Sequence, residues 1–385
     1  MNTTTLLGIS QITSHKEILA TLQLHNVTPI FYEQDHFIKN WNQSISIFPM
    51  GEVFPKSPFF IFSEYWLTKL MQETNITKSF VQISENALKA CRSKLFFSTL
   101  LEEKNIPCVH REKVSKRPDD YLSQGVIIRP DCAYSGKGVK HINNKVTYSQ
   151  YLLNISFELS PTMKIVMGAQ NITYIEEEYL DGEEYSCDVI ISPFGRKVLR
   201  VCYKKVKWIN SYPCPVAYIT VPLSNEMQNA ILSWCNVLFN QTDNLSFAQF
   251  DFIKKEDGTF IPIDFSARPG GGLNSLLSLA LSNQNLYAEA ICFALGKTAS
   301  LPYPLPLMAQ FSVLAEHPGK LSDISITWPN AYKSIMNFNL GDEIPKQTLS
   351  SASARIVSVI SPVSSLAEFS EMSEHIHDYV KISLE

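Results

Sequence analysis

The chain is poor in several things that would point to a particular class of protein. Glycine is scarce, 15 in 385 residues, and no G-x-G-x-x-G run follows the first apolar strand, so a dinucleotide cradle is not indicated. No apolar stretch approaches the ~20 residues of a membrane-spanning helix. The start, MNTTTLLGIS, lacks the basic residues and long apolar core of a secretory leader. Cysteines occur at 91, 108, 132, 187, 202, 214, 235 and 292, with no C-x-x-C pair and no zinc spacing. Set in apolar surroundings, most read as reduced core residues of a cytoplasmic protein. A net charge of −4 gives no electrostatic footprint for nucleic acid. His375 and His377 form an H-x-H with no third ligand in view, which argues against a metal there.

What remains is an ordinary soluble composition, 45% apolar and 18% charged, in a chain long enough for two or three domains. A strand at 4–10, a helix capped by Ser14 and running to about Asn26, and a strand at 27–32 make a β-α-β opening, hence a parallel sheet. A helix is expected over 63–74 and a strand over 80–83, with the first boundary near Ser84 to Ala87. A helix at 93–105 ends at Ile106-Pro107. Strands follow at 125–130, 138–142, 172–178, 184–191 and 196–206. Leu223, Met227, Ile231, Trp234 and Leu238 mark one face of a helix, and another helix covers Leu276 to Leu281. From about Ser300 proline-punctuated strands suggest a small C-terminal α+β domain.

Between these helices lies FAQFDFIKKEDGTFIPIDFSARPGGG, residues 247–272. Asp257-Gly258 is a strong hairpin signal, because the pair tolerates the positive φ of a two-residue turn. Cross-strand partners then have numbers summing to 515, which sets Asp251 opposite Asp264 with Cβ atoms roughly 4.5–5.5 Å apart. Phe250, Phe252, Ile263 and Phe265 fall on an apolar face; Asp251, Asp264, Ser266 and Arg268 fall on the other. Pro262 lacks a ladder donor and needs an edge or non-bonded slot. Opposed like charges need something positive between them. The hairpin is either a divalent-cation site, Mg²⁺ preferring carboxylates and phosphates, or a surface element whose acids face solvent.

Two further segments concentrate glycine and charge. VIIRPDCAYSGKGV (126–139) departs from the Walker A pattern but places a small, Lys-bearing loop between strands, suited either to cover phosphates or to be a plain hairpin. IEEEYLDGEEYSCDV (175–189) places six acids within eleven residues at an inter-strand corner. That is either a solvated turn or a site for ribose hydroxyls and a base edge.

The order of the pieces is informative. Ser93-Lys94, Ile127 to Pro130 with Ser135 to Gly138, Glu177 to Glu184, and Asp251 with Asp264 to Gly271 resemble the ATP-grasp superfamily over about residues 93–281. FSVLAEHPGK (311–320) is similar to its L-amino-acid ligase and carboxylase-like branch. The resemblance implies an α/β and α+β chain in three parts. These are an N-terminal Rossmann-like pre-ATP-grasp domain (1–88), an ATP-grasp domain (89–300, lid subdomain about 120–180) and a small C-terminal domain (301–385).

It also implies roles. Lys94 and Arg129 hold ATP phosphates, and Ser135, Gly136, Lys137 and Gly138 close over them. Glu177, Glu178, Tyr179 and Leu180 line the adenine pocket, and Glu184 binds ribose. Asp251, Asp264 and Ser266 hold Mg²⁺ (or Mn²⁺), and Arg268 faces the acyl phosphate or substrate carboxylate. One of Lys204, Lys205 and Lys207 reaches the γ-phosphate, with Lys205 the catalytic candidate. Three positions depart from the pattern: Arg129 stands for Lys, Asp264 for Glu and Ser266 for Asn, which weakens a second metal position. The implied activity is ATP-dependent carboxylate–amine ligation; a non-catalytic ATP binder, or an enzyme using bicarbonate or a nucleotide precursor, is the alternative. The implied partners are a small carboxylate and an amine, amino acids foremost, without nucleic acid or membrane, and compatible with a homodimer.

Overall fold

The computed structural model describes residues 3–8, 15–32, 46–48, 58–62, 67, 83–114, 125–132, 138–143, 172–209, 212–240, 244–271, 285–301, 305–329, 331, 333–344 and 355–385. At the N-terminus, β1 (Thr3–Gly8) and β2 (Val27–Tyr32) pair in parallel around α1 (His15–Leu24), the β-α-β unit expected from the sequence. Two three-residue strands flank them, β3 (Ser46–Phe48) beside β2 and β4 (Phe59–Ile61) beside β1. Strands that short show no alternation in sequence, and neither was anticipated. The helix expected over 63–74 lies outside the described residues except for the buried Leu67. The strand over 80–83 does too, except for Ile83, and so does the helix from Leu276 to Leu281.

The single helix expected over 93–105 is in fact the second of a pair, α2 (Glu85–Arg92) and α3 (Lys94–Glu102). Serine sets both starts: Ser84 accepts from the Ala87 N–H and Ser93 from the Phe96 N–H. Asp131 adds a distant cap, its Oδ1 accepting from the Leu95 N–H at 2.9 Å and its carbonyl from the Lys94 N–H at 3.2 Å. That contact fixes α3 to a four-stranded antiparallel sheet, ordered β5 (Arg111–Lys113), β8 (Tyr174–Glu178), β6 (Val126–Pro130), β7 (Lys140–Ile142).

Among the described residues the central sheet has eight antiparallel strands. In order they are β13 (Phe260–Ser266), β12 (Ser246–Lys254), β9 (Glu183–Ser192), β10 (Gly195–Ile209), β11 (Tyr212–Thr220), β14 (Met308–Leu314), β18 (Arg355–Pro362) and β16 (Lys333–Met336). β11 carries Pro213 and Pro215, which disguise it in sequence; the bulge between Lys205 and Val206 accommodates them. The pairing of β11 with β14 carries the sheet past residue 300, so the change of pattern there does not interrupt it. β15 (Gly319–Ile326), β17 (Glu343–Ile344) and β19 (Val380–Leu384) form a small separate sheet.

Alternation along β9 decides what each face carries. Cys187, Val189 and Ile191 point into the main core, beneath α2, α3 and α4 (Asn225–Leu238). Met227, Ile231, Trp234 and Leu238 are the buried stripe of α4, as their spacing predicted. Ile190 points the other way, into a second core with Leu199, Phe247, α1 and α5 (Leu286–Ala294). Phe60 and Phe62 reach Phe247 with ring centroids 5.8 and 5.3 Å away, seating the N-terminal sheet on that face. The rest of the face, at Glu184, Ser186, Lys204 and Asp251, lines a cavity. α6 (Leu366–Glu374) packs behind β11 through Phe369 and Met372. Cys187, Cys202, Cys214, Cys235 and Cys292 are buried.

Candidate functional site

The hairpin of β12 and β13 places Asp251 directly opposite Asp264. The sequence argument reached that register by a wrong route. The turn is not a two-residue Asp257-Gly258 loop: Lys255 N–H bonds Thr259 O at 2.9 Å, enclosing Glu256, Asp257 and Gly258. Near the turn partners therefore sum to 514, as in Lys254 with Phe260 and Phe252 with Pro262. A bulge between Asp251 and Phe252, opposite the prolyl position, restores 515 for Asp251 with Asp264 and Phe250 with Phe265. Pro262 has its edge strand, β13 ending the sheet. Phe250, Phe252 and Phe265 are core residues. Ile263, expected among them, lines the cavity beside Asp264.

Both carboxylates are about a quarter exposed, at 25% and 24%, and both are held by protein cations. Lys204 Nζ lies 3.0 Å from Asp251 and also bonds Glu184. Lys94 Nζ lies 3.3 Å from Asp264, and Arg129 Nη2 lies 3.1 Å from it. Gln249 donates to Asp251 at 2.8 Å. Burial alone would raise the Asp264 carboxyl, but Lys94, Arg129 and Arg111 together hold it below the ordinary range. Burial pulls the Lys204 ammonium down, yet Asp251 and Glu184 outweigh it and raise it. Lys94 goes the other way: burial, with Arg129 and Arg111 nearby, lowers it against the pull of Asp264. The positive charge that opposed acids require is thus supplied by side chains.

Successive strand residues face opposite ways, and this separates the lysine candidates. Lys204 shares the face of Glu184 and Asp251, whereas the Lys205 ammonium, along the cavity wall, bonds Ser373 at 2.8 Å and Glu374 at 3.1 Å on α6. Lys207 is exposed. The geometry brings Lys204, not Lys205, to the acids.

Glu177 is less a lining residue than a clamp. It is buried, takes Arg111 Nε at 2.7 Å and Arg129 Nη1 at 3.3 Å, and both arginines hold its carboxyl below the ordinary range despite burial. Arg111 also donates to the Lys94 carbonyl at 3.1 Å, Ser98 Oγ at 2.7 Å and the Ile263 carbonyl at 2.5 Å, tying α3, the four-stranded sheet and the hairpin together. Glu178 accepts from the His110 N–H at 3.1 Å. Glu178, Tyr179 and Leu180 line the cavity, where Tyr179 stacks on His141 at 4.3 Å with Trp208 alongside. Ser135, Gly136 and Lys137 lie outside the described residues; Gly138 lies within them.

Ser266 and Arg268 line the same cavity, Arg268 Nη1 donating to the Pro269 carbonyl at 2.7 Å. The loop that follows is braced by a group the motifs did not reveal. Asp188, fully buried, accepts from Arg200 Nε at 2.8 Å, from the Gly270 N–H at 2.8 Å and from the Tyr287 hydroxyl. A Cβ on Gly270 would lie 2.2 Å from Arg200 Nη2, so only glycine lets the loop come this close. The available signal was a charge in the middle of an apolar strand, at CDVII and VLRVC.

The cavity encloses about 650 Å³, a volume typical of small-molecule sites. Among the described residues no group of three or more His, Cys, Asp or Glu converges on a point. Asp251, Asp264 and the Ser266 hydroxyl offer only oxygen donors. A set this small fits Mg²⁺, which takes one or two carboxylates and completes its shell from phosphate and water.

Comparison with known proteins agrees with this geometry. Residues 122–276 match the family model described as an ATP-grasp domain. The whole chain superposes on an L-amino acid ligase from Bacillus licheniformis with a TM-score of 0.75 and 15% identity, covering 100% of this chain and 99% of that one. A phosphoribosylglycinamide synthetase from Anaerococcus prevotii gives 0.61 and 13%, covering 100% of each chain. The biotin carboxylase domain of the Hydrogenobacter thermophilus 2-oxoglutarate carboxylase, in complex with MgADP and bicarbonate, gives 0.63 and 12%, covering 100% of this chain and 91% of that one. No curated protein sequence matches the chain. The chain has the ATP-grasp fold, and residues 122–276 are the part that matches the ATP-grasp domain model. Among the described residues no helix is long and apolar enough to cross a membrane.

Proposed function

We propose that this chain is an ATP-dependent carboxylate–amine ligase. The observation that carries the reading is the facing pair Asp251 and Asp264, with Lys94, Arg129 and Lys204 converging on it from three elements. Phosphoryl transfer needs position and charge neutralisation more than a protein nucleophile, and this wall supplies both. Lys94, Arg129 and Lys204 turn from the carboxylates to the phosphates of ATP, and Asp251, Asp264 and Ser266 turn to Mg²⁺, which neutralises phosphate charge when bound. The hinge at Glu178 to Leu180 receives the adenine, and Glu184 the ribose. Arg268 holds the substrate carboxylate for in-line attack: the new bond joins a carboxylate oxygen to the γ-phosphorus, and ADP leaves. The amine then attacks the acyl carbon, phosphate departs, and the amine loses a proton to leave the amide.

The similarity to an L-amino acid ligase supports amino acids as substrates, and the MgADP-bound neighbour supports the nucleotide and the metal. The divisions at 1–88, 89–300 and 301–385 are then functional rather than architectural at residue 300, because β14, β18 and β16 continue the central sheet beyond it. The test is release of ADP and phosphate from ATP and Mg²⁺ with pooled amino acids, dependent on both a carboxylate and an amine. ATP binding without release in any pool overturns the ligase. A binding-only module is then the better description, and the protein cations already seated on both aspartates favour it.

A further inference from the structure

Among the described residues the cavity wall carries seven lysines and arginines: Lys94, Arg129, Arg200, Lys204, Lys205, Arg268 and Arg355. Five of them meet a carboxylate: Lys94 and Arg129 at Asp264, Arg200 at Asp188, Lys204 at Asp251 and Lys205 at Glu374. Arg268 meets a backbone carbonyl. Arg355 stands apart: among the described residues no acid pairs with it, and its Nε is buried without a hydrogen-bond partner. Withdrawing the Nε donor from water without a partner is costly, the half-buried side chain lines the cavity, and its planar fork matches the two oxygens of a carboxylate.

Its place in the sheet says which carboxylate. Arg355 opens β18, paired with Leu314 on β14. β18 stands three strands from β10, which carries Lys204. At a strand spacing near 4.8 Å that is roughly 14 Å across the sheet. Since Lys204 is in register with Tyr218, Gln310 and Ile360, Arg355 also lies several residues further along β18, too far for another clamp on the same phosphate. The carboxylate that reacts must sit at the phosphates, beside Arg268. A carboxylate read at Arg355 therefore survives the reaction. Pro213, Pro215 and Tyr218 line the same cavity, and Cys214 is close enough for the guanidinium to oppose the upward push of burial on its thiol.

We infer that Arg355 binds the carboxylate of the incoming amine, so that the amine substrate is an amino acid and the product keeps a free carboxylate. The inference rests on the ligase reading and narrows it. The test compares the parent, R355Q and R355K on the proteinogenic L-amino acids, each beside its C-terminal amide, with hydroxylamine as an amine that has no carboxylate. The parent should prefer free acids to amides. R355Q should raise KM for amino acids roughly tenfold to a hundredfold, the range of a lost charged hydrogen bond, with little change in kcat. It should erase the preference over amides, and R355K should restore part of it. The loss should follow the carboxylate, being absent from hydroxamate formation and from the KM for ATP.

Equal use of acids and amides by the parent overturns the inference while leaving the ligase standing. A loss that extends to hydroxamate or to ATP overturns it too, since Arg355 would then serve the acid or the nucleotide. Hydroxamate formation itself reports on the ligase reading. If none forms with any acid, equilibrium binding of the same amino acids beside a non-hydrolysable ATP analogue decides: binding weakened by R355Q supports the inference, and binding indifferent to it overturns it.

Discussion

Two buried charge clusters flank the cavity, and they are closed to different degrees. Around Asp188 every partner is in place: Arg200, the Gly270 N–H and the Tyr287 hydroxyl surround a carboxylate that is 0% exposed, and Arg200 is 1% exposed. One acid meets one base, and nothing is left to offer a ligand. Around Asp264 three cations, Lys94, Arg111 and Arg129, share two acids, Asp264 and Glu177, and Asp264 opens on the cavity. With Asp251, Glu184 and Lys204 alongside, four acids meet four cations, but both aspartates are about a quarter exposed; in the ligase proposed above, an entering polyphosphate takes over those cations. The closed cluster positions a loop, and the open one leaves its charges within reach of the cavity.

The comparison is broken most forcefully by emptying each cluster of its arginine. Arg200→Met leaves Asp188 as a buried charge with only two neutral donors, and should cost about 3–5 kcal/mol of stability, read from the denaturant midpoint. Arg129→Met leaves Glu177 with Arg111 and Asp264 with Lys94, so the stability loss should be smaller. Affinity for a non-hydrolysable ATP analogue should instead fall, roughly tenfold to a hundredfold for one charged contact. Equal destabilisation by the two variants would erase the distinction.

Arg268 lies between the clusters, on the loop that the closed one braces and in the cavity that the open one lines. If it stabilises charge that develops only during transfer, Arg268→Met should leave analogue affinity nearly intact and cut ADP release ~10²–10³-fold. Weakened analogue binding with proportionate turnover would place it among the ground-state phosphate contacts.

How much of this was legible in the sequence follows from how local each feature is. The β-α-β opening, the α4 stripe and the Asp251–Asp264 pairing depend on periodicity within one or two elements, and all three are present. The pairing nevertheless emerged from two errors that cancel, a loop taken as one residue too short and an unforeseen one-residue bulge between Asp251 and Phe252, and alternation put Ile263 on the wrong face for the same reason. Lys204 could not be told from Lys205 until neighbouring strands fixed which way β10 points. Arg111 gave no local signal, because its importance comes from Glu177, Lys94 and Ile263, none of them nearby in the chain. Asp188 and Arg200 did give one, as charges inside apolar strands, but a motif search passes over residues that hold a site without touching its ligand. β11 was hidden by its prolines and by a bulge that only the paired strand explains.

The open cluster should also respond to pH where the closed one does not face solvent. Burial, reinforced by Arg129 and Arg111, lowers the Lys94 ammonium from its ordinary value, and a bound polyphosphate would raise it again. Linkage then gives the sign: nucleotide affinity is full below the lowered pKa and falls as pH rises through it, by up to about tenfold per pH unit. Lys94→Arg, which stays charged, should flatten that alkaline decline in a titration series with the analogue. A decline that survives in Lys94→Arg would assign it to another group.

The smallest effect expected comes from a glycine, and it sharpens the comparison because a second glycine should behave oppositely. Gly258 holds φ of +85° at the hairpin loop, and a Cβ there would meet nothing within 4 Å. Gly258→Ala therefore costs only the left-handed backbone, about 1 kcal/mol. It should leave analogue affinity within about twofold, since the bulge at Pro262 and the pairing of Asp251 with Ser186 fix the acids independently of the loop. Gly270→Ala forces a methyl against Arg200 and Asp188 and should destabilise far more. Denaturation midpoints and analogue titrations on both variants separate the possibilities. If Gly258→Ala weakens nucleotide binding as Gly270→Ala does, the register at the acid pair is set by the turn after all, and the bulge merely follows from it.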